Sequence, residues 1–226
     1  IIVIGMAILL ASGGFDLSVG SVMALSSTVV AMLLLTGMPI PIAIFCSLIL
    51  GVIVGIANGV LVTSLGINPL IATLGTMSIA RGIALVLTEG FSVSSLPPSF
   101  AWIGKASLGG FPVIVLLTLL LVIFFDLAVR HTRFFRQVYF IGANEKAAML
   151  SGIHVDRVRI TLYALTGVLA ALAGVLLAED GASFYSENKE VYSHFIEKLL
   201  KNCLEKGFLY AIFYTHPAIL KTLYEL

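Results

Sequence analysis

Long apolar runs constrain this chain more than any other feature of its sequence. A helix needs about 20 apolar residues to cross the hydrocarbon core of a bilayer, and lipid admits only helices and closed barrels. Barrel strands alternate over roughly 10 residues, whereas these runs are continuous. The sequence therefore predicts an all-α, polytopic transmembrane helical bundle. About six membrane segments are visible, at 1–15, 17–36, 40–65, 70–88, 113–129 and 160–178.

The distribution of charge divides the chain into regions. Hydrophobic residues make up 59% and charged residues 11%, against about 25% charged residues in soluble domains. Residues 130–159 hold six of the 13 Lys and Arg residues. We predict a transmembrane domain at 1–178 that includes this basic loop, and a mixed-charge tail at 179–226, in which the amphipathic stretch 192–206 is a candidate helix.

Orientation follows from the basic loop. Short cytoplasmic loops carry an excess of Lys and Arg, so residues 130–159 are predicted to lie in the cytoplasm. Counting spans from there places 89–112 outside and 66–69 inside.

Polar side chains inside the apolar runs are candidate functional residues, because they are costly in lipid. Asp16 follows Gly13-Gly14, and a carboxylate at mid-span costs roughly 2.5–3.5 kcal/mol. Asp16 and Ser18 are predicted either to cap the next helix or to face a substrate. Arg81 is predicted to pair, with Asp16 as one possible partner, or to anchor at an interface. The substrate-path candidates are Asp16, Ser18, Asn58, Thr73, Thr76 and Arg81.

Small residues at a spacing of four predict close helix packing. Gly51, Gly55 and Gly59 share one helix face, and Gly167 and Ala171 share another. Such faces let helix backbones approach each other.

The basic loop contains a predicted short helix. Asn144 can cap its N-terminus, Glu145 suits the positive helix end, and Gly152 suits the position after the C-cap. Two turns of helix are not stable alone. The helix therefore docks on a partner, through its Ala147-Ala148 face and its Met149-Leu150 side chains, or on the protein's own cytoplasmic face.

Motifs for catalysis or nucleotide binding are lacking. The sequence has no G-x-x-x-x-G-K-[ST], G-x-S-x-G or H-E-x-x-H pattern,. Its four histidines and two cysteines lack metal-ligand spacing. We predict that the chain is not an enzyme, holds no metal or cofactor and binds no nucleic acid. If ATP drives it, a partner subunit hydrolyses the ATP.

Three ordered motifs carry a family resemblance. They are GGFDLSVGS at 13–21, PLIATLGTM at 69–77 with Arg81-Gly82, and TRFFRQVYFIGANEKAAMLSGI at 132–153. Together they resemble the permease subunit of bacterial ABC monosaccharide importers of the ribose, xylose and galactose type, over about residues 1–178.

The resemblance implies a multi-pass protein of the bacterial inner membrane that imports a monosaccharide such as ribose. It implies an ABC ATPase subunit, a second permease copy and a periplasmic sugar-binding protein as partners. Residues 145–153 would form the coupling helix, and 16–21 would lie near the translocation path. The coupling residues so implied are Glu145, Ala147, Ala148, Gly152 and Ile153.

The sequence also departs from the family pattern. Phe135 stands where the family usually has Gly, and the divergent tail at 179–226 does not match. The bundle is thus predicted to be incomplete at both ends relative to the family, with the tail either an interfacial helix or an out-of-frame end. A truncated or frameshifted, non-transporting permease fragment is the alternative. A secondary transporter is a further alternative, with Asp16 as its one candidate carboxylate.

Overall fold

The computed structural model describes residues 1–91, 93, 96–97, 99–100, 106–108 and 111–178. The predicted tail at 179–226 and its amphipathic stretch lie outside the described residues. A two-residue antiparallel hairpin pairs β1 (Ser107–Leu108) with β2 (Phe111–Pro112). The helices are α1 (Ile2–Ala11), α2 (Val19–Leu35), α3 (Ile40–Thr63), α4 (Pro69–Leu87), α5 (Val113–His131), α6 (Arg133–Ala143), α7 (Glu145–Leu150) and α8 (Val155–Ala178).

The predicted all-α membrane bundle is confirmed. Within the described residues, α3, α4, α5 and α8 are long and apolar enough to cross a membrane, and α1 and α2 are shorter apolar helices. Each of these six helices overlaps one of the six predicted segments. The chain is therefore a multi-pass membrane protein.

The region between α5 and α8 differs from its prediction as a polar loop with one short helix. It contains a second helix, α6, which buries Phe135, Val138 and Ile141. Moreover, α8 begins at Val155 rather than at residue 160. Both errors have one cause: hydropathy detects the lipid-exposed length of a helix, whereas charged residues continue a helix beyond that length or form one along the interface.

Side chains and prolines define where the helices start. The Asn68 side chain accepts a hydrogen bond from Leu70 N at 2.9 Å, and Pro69 occupies the first position of α4. Proline is favoured there because its missing N–H has no helical partner to lose. A capped turn at Asn68 therefore leads directly into α4.

Helix α8 is the central helix of the bundle. Half of its apolar stretch is buried, against 22% in α3 and in α4 and 6% in α5. A Cβ atom on Gly55 would lie 2.8 Å from Ala164 Cα, and one on Gly59 would lie 2.8 Å from Ile160 Cα. The backbones of α3 and α8 therefore touch, which confirms the predicted packing through small residues.

The basic loop lies at one end of the bundle, here called the basic end. There α6 packs against the end of α1, and a Cβ on Gly142 would overlap Ala11 O. Gly59, near the end of α3, meets Ile160, near the start of α8. The chain thus brings the ends of α1 and α3 and the start of α8 to the basic end, where the polar residues also gather.

Candidate functional site

A helix break separates α1 from α2, and we call residues 12–18 the break segment. Gly13 has φ +79°, which favours glycine, and it closes the last turn of α1,. Ser12 donates from its hydroxyl to Leu9 O at 2.7 Å, and Gly14 N donates to the same carbonyl at 3.1 Å. The chain therefore leaves the helix at Ser12 with its local donors satisfied.

Asp16 lies at the end of the break segment and is almost completely buried, at 2% exposure. Its Oδ1 accepts from Ser18 N at 2.8 Å and from Ser18 Oγ at 2.6 Å, and its Oδ2 accepts from Asn58 Nδ2 at 3.4 Å. A buried carboxylate needs such donors. Ser18 occupies the predicted N-cap position of α2, but its hydroxyl donates to Asp16 and accepts no hydrogen bond from an α2 amide, so it provides no side-chain cap.

Other predicted path residues extend these contacts. Asn58 Nδ2 donates to Ser18 Oγ at 2.9 Å, and Thr76 Oγ1 donates to Asn58 Oδ1 at 2.6 Å. Thr73 Oγ1 accepts from Leu17 N at 3.2 Å and donates to Pro69 O at 2.7 Å. The structure thus joins four of the six path candidates directly, and Thr73 bonds the backbone of the break segment beside them. We call Asp16, Ser18, Asn58, Thr73 and Thr76 the Asp16 network; it ties the break segment to α3 and α4.

Arg81, the sixth candidate, lies elsewhere. It is exposed and lines a cavity of about 410 Å³ together with Ser27, Thr28 and Thr88. Residues 177 and 178, at the far end of α8, also line it, so the cavity opens away from the basic end. Within the described part of the chain, Arg81 forms no ion pair. The suggested pairing with Asp16 is therefore wrong.

The short helix α7 has the predicted caps. Asn144 Oδ1 accepts from Ala147 N at 3.1 Å, and Gly152 follows the helix with φ +83°. Asn144 satisfies an amide that has no partner within the helix, and Gly152 takes a backbone conformation that other residues enter at a cost.

The two faces of α7 have different surroundings. Ala148 is 3% exposed and packs into the apolar core, and Ile153 packs against the same core. Leu150 is 90% exposed, and Ala147 and Met149 are exposed as well. The prediction that Ala148 faces a partner is wrong, because this side chain holds α7 on the protein's own surface. The exposed face remains open for docking.

An apolar groove adjoins this exposed face. It has a volume of about 240 Å³ and lies between α6 and α7, lined in part by Phe140, Ala147 and Ile153. Tyr139 and Phe140 of α6 are both more than half exposed. The basic end therefore presents aromatic and aliphatic side chains beside its arginines.

Sequence reasoning missed two side chains of α8 that contact α7 and the break segment. Arg159 forms a bidentate ion pair with Glu145, with Nη1–Oε1 at 3.1 Å and Nη2–Oε2 at 2.8 Å. Tyr163 donates from its hydroxyl to Phe15 O at 3.0 Å. A signal was present, since Arg159 and Tyr163 are four residues apart and so share one face of α8. Sequence alone did not reveal what that face meets.

These features define a class: a multi-pass helical membrane protein with a broken helix at a buried polar network and a short capped helix outside the bilayer. Broken helices of this kind occur at the binding sites of transporters. The chain belongs to the family described as "Branched-chain amino acid transport system / permease component", which matches residues 1–196.

Curated relatives of the chain include permeases with different cargoes. It is 40% identical over 179 residues to the ribose import permease protein of Bacillus subtilis, covering 78% of this chain and 56% of the relative. It is 36% identical over 180 residues to the galactofuranose transporter permease protein of Escherichia coli, covering 80% and 53%. It is 39% identical over 174 residues to the L-arabinose transport system permease protein of Escherichia coli, covering 77% and 53%.

The chain spans about half the length of the curated relatives it matches. No solved structure matches it. The resemblance to sugar ABC permeases is confirmed, and the family is one of transport permeases rather than enzymes.

Proposed function

We propose that this chain is the membrane-spanning permease subunit of an ATP-driven importer for a monosaccharide. It acts in the bacterial inner membrane, forms a translocation path and docks a separate ATPase at its basic end. The observation that carries the proposal is α7, a capped helix that is anchored through Ala148 and exposes Met149 and Leu150. Such a helix offers a partner a fixed apolar surface.

The relatives support a sugar as the cargo. The three relatives described above are named for ribose, galactofuranose and arabinose, at 40%, 36% and 39% identity. The family description names branched-chain amino acids instead. The chain is about equally identical to relatives named for three different sugars. We therefore propose the monosaccharide class rather than one sugar, with ribose as the first sugar to test.

The polar residues of the bundle divide into two roles under this proposal. Ser27, Thr28, Thr88 and Arg81 line the cavity at the end opposite the basic loop. Their hydroxyl and guanidinium groups can exchange hydrogen bonds with the hydroxyls of a sugar. The Asp16 network is buried and internally bonded, so it fixes the helices that form the wall of the path.

The partners follow from the same account. An ATPase subunit docks on α7 and on the groove between α6 and α7, a second permease copy completes the membrane part, and a periplasmic sugar-binding protein delivers cargo to the cavity. ATP is hydrolysed by the partner subunit, since this sequence has no phosphate-binding loop,.

Reconstituted uptake tests the proposal. The full chain, co-expressed with an ATPase subunit of a ribose-type importer and its binding protein, is placed in proteoliposomes containing ATP. We expect ATP-dependent accumulation of labelled ribose, arabinose or galactose, and none of leucine. Accumulation of leucine would contradict the sugar assignment. Uptake without ATP, driven by an ion gradient, would favour a secondary transporter, and a chain that inserts but moves no cargo would be a non-transporting fragment.

A further inference from the structure

Arg159 connects three parts of the protein at the basic end. Both terminal nitrogens contact Glu145 on α7, and Nη2 also lies 3.4 Å from Ser12 O, the first carbonyl of the break segment. The planar guanidinium holds two acceptors in fixed directions, which a lysine cannot do. Arg159 therefore sets the position of Glu145 relative to Ser12.

The burial of this ion pair separates it from an ordinary surface pair. The Arg159 side chain is 19% exposed and that of Glu145 is 41% exposed. The comparable pair on α5, Arg130–Asp126, is 69% and 53% exposed. Exposed pairs are screened by water and salt, whereas partly buried pairs are screened much less. The pair between Arg159 and Glu145 is thus the stronger constraint on helix position.

Helix α8 donates side-chain hydrogen bonds to two backbone carbonyls of the break segment. Arg159 contacts Ser12 O and Tyr163, one turn later, contacts Phe15 O at 3.0 Å. Both donors lie on one helix face, because residues four apart are neighbours on a helix. A displacement of α8 or of the Arg159 side chain therefore acts directly on the backbone of the break segment.

The other end of the break segment belongs to the Asp16 network. Ser18 N donates to Asp16, and Leu17 N donates to Thr73 of α4. Asn58 joins the same carboxylate to α3. Polar contacts thus connect Glu145 to Ser12 through Arg159, and the backbone of residues 13–15 joins Ser12 to the Asp16 network.

We propose that Arg159 is a positioning residue that transmits the position of α7 to the break segment, and so couples ATPase movement to the path. This inference rests on the proposed function. It differs from a simple anchoring role, in which Arg159 would only keep α7 folded on the bundle. Transmission requires the contact with Ser12 as well as the ion pair, whereas anchoring requires the ion pair alone.

The first test measures transport per ATP hydrolysed in the reconstituted full-chain complex. Arg159→Met and Glu145→Gln are each expected to lower sugar uptake per ATP at least tenfold while the ATPase still co-purifies. The double variant is expected to be no worse than either single variant, because both remove the same link. Arg130→Met is the matched control, since it breaks the exposed pair with Asp126, and its uptake is expected to stay within twofold of the unmodified chain.

The second test measures hydrogen exchange of the backbone amides at residues 13–18 in the full chain. Arg159→Met is expected to raise their exchange at least tenfold, and Arg130→Met is expected to leave it unchanged. This measurement does not need the ATPase, so failure of the unmodified chain to bind an ATPase would reject the proposed function alone. The inference is overturned if Arg159→Met lowers ATPase binding but leaves uptake per ATP unchanged, or if exchange at 13–18 does not respond.

Discussion

Asn58 connects the break segment to α4 through both polar atoms of its side-chain amide. Its Nδ2 donates to Ser18 Oγ at 2.9 Å, and its Oδ1 accepts from Thr76 Oγ1 at 2.6 Å. The side chain is fully buried. One residue of α3 thus satisfies polar groups on the break segment and on α4, which makes it the most direct test of the network.

Replacing Asn58 with Leu should destabilise the bundle. The change keeps the branched shape of the side chain but removes the donor to Asp16 Oδ2 and Ser18 Oγ. Each partner lost by a buried polar group costs about 1–3 kcal/mol. We expect a lower midpoint of thermal unfolding for the detergent-purified chain. Ser78→Ala is the control, because that hydroxyl is exposed and bonds only within α4. Equal midpoints for the two variants would show that the network adds no stability.

The contact between α3 and α8 predicts opposite results at two glycines. Gly55→Ala should destabilise the chain by about 1–3 kcal/mol, because the new Cβ meets the α8 backbone and cannot be relieved by side-chain rotation,. Gly75→Ala, on the open face of α4, has nothing within 4 Å of its Cβ. It should be neutral or should stabilise α4 by up to about 1 kcal/mol. Unfolding in denaturing detergent compares them, and a reversed order would refute the packing.

Gly152 should tolerate asparagine better than alanine. Its φ of +83° strains an L-residue, although a Cβ there meets nothing within 4 Å. The strain alone is about 1–2 kcal/mol for alanine, and asparagine enters this region more readily. We expect Gly152→Ala to weaken ATPase binding and coupled uptake more than Gly152→Asn, with normal membrane insertion of both. Unchanged uptake in Gly152→Ala would show that α7 does not need its C-terminal turn.

Arg81 should affect the cargo rather than the fold. Arg81→Met removes an exposed cation that lines the cavity and has no ion pair among the described residues. We expect the sugar concentration for half-maximal uptake to rise severalfold while the thermal midpoint stays constant. Arg81→Lys keeps the charge and should lie between the two. A loss of stability with unaltered uptake kinetics would place Arg81 in a structural role.

Much of the fold could be predicted because membrane helices are recognisable in a sequence as long continuous apolar runs. The six apolar runs, the cap at Asn144 and the glycines of α3 all depend on local sequence or on helical periodicity. Helix α6 was missed because Arg133, Arg136 and Gln137 lower its mean hydropathy, although its buried positions at 135, 138 and 141 recur every three residues. Its amphipathic pattern is present in the sequence, but a search for long apolar runs does not detect it.

The residues of the candidate site could be predicted from the sequence more successfully than the contacts between them. The sequence identifies five of these side chains separately, as polar groups in apolar runs. The fold brings them together around the break segment: Asp16, Ser18, Asn58, Thr73 and Thr76. The pairing of Asp16 with Arg81 failed because opposite charges in a sequence do not reveal depth along the helices. The charge of Arg159 predicts a place in the loop, whereas the residue lies in α8 and contacts Ser12, 147 residues earlier in the chain.

The central claim is that α7 docks an ATPase, and co-purification tests it most directly. The full chain is expressed in bacterial membranes with an ATPase subunit of a ribose-type importer, and both are followed through detergent extraction and size-exclusion chromatography. The account predicts one complex, its loss in Leu150→Asp at the exposed end of α7, and its retention in Phe111→Asp, an equally apolar site on β2. A chain that inserts normally yet elutes without the ATPase, or a complex that is indifferent to Leu150→Asp, would contradict it.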